Sequence, residues 1–317
     1  MPNAGVESVK IGRSGLTSSI IGLGGGSSGR FGLVYGTRAD ANRLIRTALD
    51  LGITFYDGAG LGGGVDEVLA EGLGAERGRV LLSTKVHLGP DPIFSGPLAN
   101  KVSSWAARRS GFVCSAATLR RRVDKTLRAL RTDWIDILHL HAVTPAQYPR
   151  AVERLLPELH RMKEAGKIRA IGITEGFLSD PRHRMLEVAA RDAHFDAVMT
   201  GLNFANPSAA EWVIPSAARQ NLGVIGMFAL RGVRNHAIDA KLTELMMAAG
   251  VATVSELAYR WAHQQPGVHV VLTGTGNAAH LHENVASVLA PPLPTDVCTR
   301  LKELFPTGQA GGPAMRK

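Results

Sequence analysis

Five polar residues of types that move protons fall at the ends of short apolar runs. Asp57 lies near the end of ITFYDG (53–58), Lys85 and His87 end RVLLSTKVH (79–87), and His139 and His141 end WIDILHLH (134–141). An aspartate that keeps a lysine charged, beside a group whose pKa that ammonium lowers, is a set suited to general acid or base chemistry. The same Asp57–Lys85 pair can equally be an ion pair that only stabilises the end of a sheet. His139 and His141 are two residues apart and share one face of a strand. His141, nearer the C-terminal end, is the candidate for chemistry, and His139 reads as a core histidine. Further on, Arg108 and Arg109 can receive a carboxylate or phosphate or stand as a solvated pair. Trp105 is the candidate for an apolar or sugar-stacking wall against substrate.

The elements that must position these groups alternate along the whole chain. Apolar, largely β-branched runs recur at 18–25, 53–58, 79–87, 134–141, 169–174, 196–201, 223–228 and 268–274, with stretches of helical period between them. In ADANRLIRTALDLG, Ala41, Leu44, Ile45, Ala48 and Leu49 share a face and Gly52 ends the helix. In TLRRRVDKTLRALR, Leu119, Val123, Leu127 and Leu130 form a stripe, with Ser115 available as cap. Strands joined by helices pair in parallel, and eight such units close an α/β, (β/α)₈ TIM barrel whose chemistry sits at the strand C-termini. The open doubly wound sheet is the rival. Gly24, Gly26 and Gly29 do stand at GxGxxG spacing, but RFGLVYGT follows where a phosphate-binding helix would have to open. That loop therefore reads as a flexible mouth loop. VKIGRSGLTSS ahead of the first strand reads as an N-terminal hairpin turning at Arg13-Ser14-Gly15. The long loop after strand three, Leu88 to Cys114, carries Trp105, Arg108 and Arg109 to the mouth, where loops of that length are commonly functional. One domain over 1–317 is expected, with a flexible tail over about 306–317.

Composition narrows the classes further. The 317 residues are 45% hydrophobic and 20% charged, so a disordered chain is excluded. There are 36 Lys and Arg against 27 Asp and Glu, a net charge of +9. No long basic run and no basic-aromatic interleaving accompanies it, so anionic small molecules rather than nucleic acid are the expected partners. No run approaches the roughly 18 apolar residues of a membrane span. Cys114 and Cys298 make neither a disulfide framework nor a metal cluster, and a reduced, cytoplasmic chain without metal is expected.

Six segments, in order, carry a resemblance to the aldo-keto reductases: KIGRSGLTSSIIGLGGG, ALDLGITFYDGA, LLSTKV, LRALRTDWIDILHLH, KIRAIGIT and VVLTGTGNAAHLHENVAS. The resemblance spans nearly the whole chain. It implies a barrel that holds an extended nicotinamide cofactor across its mouth, NADP(H) in preference to NAD(H). It also implies a tetrad of Asp, Tyr, Lys and His that reduces a carbonyl, the phenol acting as acid. Asp57, Lys85 and His141 match three members. The fourth does not match, because Gly62 stands where the family motif has tyrosine. Four alternatives follow: a replacement phenol from Tyr35 or Tyr148, with Tyr56 pointing toward the helices; His141 as the acid; a nicotinamide-binding protein with little turnover; or a non-redox elimination or isomerisation with Lys85 or His141 as base. An oxidoreductase acting on a small, sugar- or polyol-derived carbonyl or alcohol is the reading carried forward.

For the cofactor, Thr273-Gly274-Thr275-Gly276-Asn277 joins strand eight to a helix, a glycine-bearing start that suits phosphate, and the resemblance assigns Thr275, His280, Glu283 and Asn284 to the adenosine end. NADPH-preferring members have Arg or Lys where Gly274 and His280 stand, which weakens that preference. Arg231 is placed over the pyrophosphate. Thr174 and Glu175 stand where the family has Ser-Asn against the nicotinamide amide, and Met199 where it has Gln, with Asn203 as a further polar contact.

Overall fold

The structure is a computed structural model that describes residues 6–26, 29–60, 64–90, 105–192, 194–233 and 240–307. Eight parallel strands close a barrel in sequence order: β3 (Ile21–Gly24), β4 (Phe55–Asp57), β5 (Leu81–His87), β6 (Ile135–Val143), β7 (Ile168–Glu175), β8 (Ala197–Gly201), β9 (Gly223–Met227) and β10 (Val270–Thr273). The expected (β/α)₈ architecture is therefore present, and the doubly wound rival is excluded by closure between β10 and β3.

The run 18–25 is not one strand. Thr17–Ser19 (β2) pairs antiparallel with Ser8–Lys10 (β1), and only Ile21–Gly24 joins the barrel. The hairpin turns through Gly12–Ser14, with Gly15 at φ 74°. Its tip plugs the end of the barrel opposite the mouth. Ile11 and Leu16 join Phe55, Leu81, Ile137, Ala170, Ala197, Ile225 and Val270 in the inner apolar cluster. Arg13 donates from its backbone N–H to Asn221 O at 2.6 Å and from its guanidinium to Phe195 O at 2.7 Å.

The helices form where the apolar stripes and caps direct. Helix α1 (Arg38–Asp50) buries Ala41, Leu44, Ile45 and Ala48, and Thr37 and Asp40 cap its start reciprocally. After α2 (Val65–Leu73), helix α3 (Ala116–Leu130) is capped by Ser115, whose hydroxyl accepts from Thr118 N–H, and it buries the expected stripe. Strand alternation then separates two layers. Leu138 and Leu140 face the helices, while Ile137 enters the barrel interior. His139 is fully buried, and Gly172 on the neighbouring strand gives it room, since a Cβ there would come 2.2 Å from its Nδ1. The segment 308–317, which includes most of the expected tail, lies outside the described residues.

Asp136, near the start of β6, ties three strands together. Its carboxylate accepts from Leu82 N–H of β5 at 2.9 Å and pairs with Arg77 at 3.0 Å and Arg169 of β7 at 2.9 Å. Asp136 is 1% exposed, so removing it strands the largely buried Arg77 charge and a strand N–H. Asp136→Ala is expected to lower unfolding free energy by about 3 kcal/mol, read as a shift in the urea midpoint. A change near zero would count against this role.

Candidate active site

At the C-terminal end of the barrel, Asp57 and Lys85 occupy adjacent strands and form an ion pair at 2.5 Å. Both are buried, and each has a second hydrogen-bond partner. Ser83, on the same face two residues before Lys85, donates to Asp57 Oδ1 at 2.9 Å, and Lys85 Nζ donates to Gly58 O at 3.0 Å. The turn that brings Gly58 there requires glycine at position 60. Gly60 has φ 61°, and a Cβ on it would sit 1.8 Å from Lys85 O.

His141 meets His87 across the β5–β6 pairing. The rings are T-shaped with centroids 4.3 Å apart, and His141 Nδ1 lies 3.1 Å from His87 Nε2. Burial first, then neighbouring positive charge, keeps both imidazoles neutral: His87 is lowered to about 4 and His141 well below its ordinary value. His139, deeper on the same face, is pushed to about 3 by burial. Asp57, Lys85 and His141 are thus brought to one place, and His87 joins them. The signal for His87 was its position directly opposite His141 on the adjacent strand.

No phenol of the described tyrosines is brought to this group. Tyr35, the expected replacement, is corrected: it is 96% exposed on the segment ahead of α1, with its ring in solvent. Tyr148, at the start of α4 (Tyr148–Glu164), donates to Asp192 at 2.9 Å. Tyr56 faces α1 and donates to Ile45 O. Tyr259 donates to Thr273 at 3.2 Å. Gly62 lies outside the described residues.

Several expected cofactor contacts turn out to face elsewhere. Strand period two sends Thr174 inward and Glu175 outward. The Glu175 carboxylate is fully buried under the helices, where it pairs with His183 at 2.7 Å and accepts from Thr200 at 3.1 Å and from Gly201 N–H at 2.7 Å. It fastens β7 to β8 and presents no charge at the mouth. Thr174 accepts from Ala142 N–H at 2.9 Å. Met199, fully buried in the inner apolar cluster, is part of the floor. Asn203 is likewise buried, and its amide donates to Phe228 O at 3.3 Å. Asn284 donates to Thr273 at 2.7 Å, so these two fasten helix α9 (Ala278–Leu289) to β10. Thr275 turns its hydroxyl to Asn277.

What stays open to a ligand is Gly274, His280 and Glu283, all exposed at or near the start of α9. A Cβ on Gly274 would meet only Gly24 O, at 3.8 Å. The glycines of the first loop pack here: a Cβ on Gly29 would lie 3.2 Å from Thr275 N, and one on Gly276 2.5 Å from Gly32 Cα. Of the first loop's glycines, Gly29 and Gly32 therefore serve close backbone packing against the β10–α9 turn, while Gly26 faces open space. Arg231 stacks its guanidinium 4.8 Å from the Phe228 ring centroid, and its Nε is buried with no partner. An orphaned guanidinium nitrogen and an uncrowded glycine turn at a helix start fit a phosphate-bearing dinucleotide. Trp105 is 61% exposed on the helical turn 105–110, with Arg109 stacked on it at 5.0 Å, so its indole is available to a ligand. Among the described residues, no three His, Cys, Asp or Glu side chains converge as metal ligands.

The neutral histidines impose a pH dependence. In the unfolded chain His87 takes up a proton near its ordinary value of 6.5, whereas in the folded protein it does so only near 4. Between those values the unfolded state binds more protons, so stability is full above about pH 6.5 and falls as pH drops toward 4. His87→Gln is expected to shrink the difference in urea midpoint between about pH 7 and pH 4.5. An undiminished difference would show that the buried imidazole is not its source.

Comparison with known proteins follows the same outline. The Aldo/keto reductase family profile matches residues 20–305. The chain is 26% identical over 305 residues to the L-galactose dehydrogenase of Arabidopsis thaliana, covering 89% of this chain and 88% of that protein. It is 27% identical over 270 residues to the 6-dehydroglucose reductase of Novosphingobium aromaticivorans, covering 80% and 81%. The holo form of an aldo-keto reductase from Bacillus halodurans superposes with a TM-score of 0.75 at 21% identity, covering 94% and 96%. With the closed barrel and this coverage, the chain belongs to the aldo/keto reductase family and is an oxidoreductase.

Proposed function

We propose that this protein is an NAD(P)H-dependent oxidoreductase of a small sugar- or polyol-derived carbonyl that works without a tyrosine acid. The observation that carries the reading is the buried Asp57–Lys85 pair set beside the neutral His141–His87 pair. Two relatives named for sugar substrates support the substrate class. When bound, the nicotinamide supplies or accepts the hydride. Arg231 and the turn at Gly274 would hold its phosphates, and Thr174 would take the amide end.

The chain's own residues manage the oxygen. A neutral imidazole donates a hydrogen bond without giving up its proton, and His87 orients the His141 ring for that task. Asp57 pairs with and positions the Lys85 ammonium, and Lys85 passes its proton to the oxygen as the carbonyl becomes an alcohol. Solvent then reprotonates Lys85. NADP(H) is preferred to NAD(H), with His280 near the adenosine 2′ position. An exposed imidazole holds a 2′-phosphate less firmly than Arg, so the expected preference is modest.

The test is to follow the near-ultraviolet absorbance of NADPH and NADH with a panel of aldoses, ketoses and polyols. Lys85→Met is expected to lower kcat/KM by about 10³-fold and His141→Asn by about 10²-fold, while Tyr35→Phe stays within about twofold. A large loss in Tyr35→Phe would restore the phenol to the mechanism. Turnover unaffected by Lys85→Met would overturn the proposal.

A further inference from the structure

Arg108 is a cation at the mouth that the proton chemistry leaves unused. It sits on the helical turn 105–110, half-buried, and desolvation disfavours its charge. Its charge disfavours protonation of both His87 and His141, and an ideal Cβ on Gly176 would lie 3.5 Å from the carbonyl oxygen of Ala142, the residue that follows His141. Nη1 also lies 3.6 Å from where a Cβ on Gly176 would be, just beyond the end of β7. Among the described residues no carboxylate pairs with it, whereas Arg77, Arg120 and Arg161 each have one.

The backbone carrying it is held firmly. Thr144 donates to Arg108 O at 3.2 Å, Gln147 to Phe112 O at 2.8 Å, and Arg150 to Ser110 O at 3.1 Å. Gly111 approaches Ala146 so closely that a Cβ would lie 2.4 Å from its carbonyl oxygen. Three residues of the β6–α4 connection and the first turn of α4 thus fix the backbone that carries this partly desolvated guanidinium to the end of β6, near Ala142. Of the other cations nearby, Lys85 has its counter-charge in Asp57, and Arg122 donates to His87 O and Gly89 O. A desolvated charge without a partner is costly, and an anionic group on a ligand would meet that cost.

We infer that Arg108 is a specificity-determining residue that receives an oxyanion, carboxylate or phosphate, carried by the carbonyl substrate, while the carbonyl itself lies at His141 and Lys85. This rests on the oxidoreductase reading for its substrate. The anion contact itself does not. A planar guanidinium binds such oxyanions through paired N–H donors, so lysine is only a partial substitute.

Matched pairs test this: succinic semialdehyde against butanal, glucuronate against glucose, and glyceraldehyde 3-phosphate against glyceraldehyde. The wild-type protein is expected to favour the anionic member of at least one pair about tenfold in kcat/KM. Arg108→Leu should erase that preference through KM, leaving the neutral member within about threefold, and Arg108→Lys should recover part of it. Carboxylate preference without phosphate preference, or the reverse, names the source of the oxyanion. Calorimetry with succinate and its neutral diamide reads the anion contact without turnover. If no carbonyl is reduced but succinate binds and Arg108→Leu abolishes binding, the oxidoreductase reading fails and the anion site stands. Equal effects of Arg108→Leu on neutral and anionic substrates, or no anionic preference together with no succinate binding, would overturn the inference.

Discussion

The Asp57–Lys85 pair sets the terms for everything around it. Two opposite charges inside a barrel are tolerable only when they touch and their leftover donors and acceptors are filled. Ser83 fills Asp57 Oδ1 and Gly58 O accepts a second Lys85 N–H, and both follow from local geometry. Ser83 shares a strand face with Lys85, and Gly58 O is turned back by a bend that only glycine at 60 permits. The pair in turn fixes the state of its neighbours. Its ammonium adds to burial in keeping His87, His139 and His141 neutral, so this mouth offers neutral imidazoles and one ammonium rather than a row of imidazolium ions.

The polar residues of the cofactor end divide by the face they occupy. Thr273, Asn284, Glu175 and Thr200 spend their capacity on one another, on Tyr259 and His183 or on backbone, fastening strand ends to helices and to each other. Arg231, Gly274 and His280 keep theirs open. Because the first group locks β7 to β8 and β10 to α9, the second can stay uncompensated without the loops collapsing onto it. Gly29 and Gly32 have a related role, bringing the first loop into backbone contact with the β10–α9 turn.

Much of the architecture was legible in the linear chain. Period-two and period-3.6 patterns marked the strands and helices, Ser115 marked a cap, and Arg13-Ser14-Gly15 marked the hairpin turn. The run 18–25 misled because the hairpin strand and barrel strand are separated only by Ile20, and no turn residue punctuates them. Glu175 misled because a family position says which residue is there and not which way a strand end has sent it. Tyr35 misled because loop membership does not tell whether a ring turns into the mouth or into water.

Alternating residue types along the chain determined that eight parallel strands would form and that Asp57, Lys85 and His141 would end them on one side, since strand direction and the two-residue period are local properties. The tertiary structure decided the rest: that His87 pairs with His141, that each described phenol turns away from Lys85, that Glu175 is structural, and that Arg108 pairs with no carboxylate among the described residues. Those outcomes depend on which groups close packing leaves paired or unpaired, and burial and pairing are properties of the assembled barrel alone.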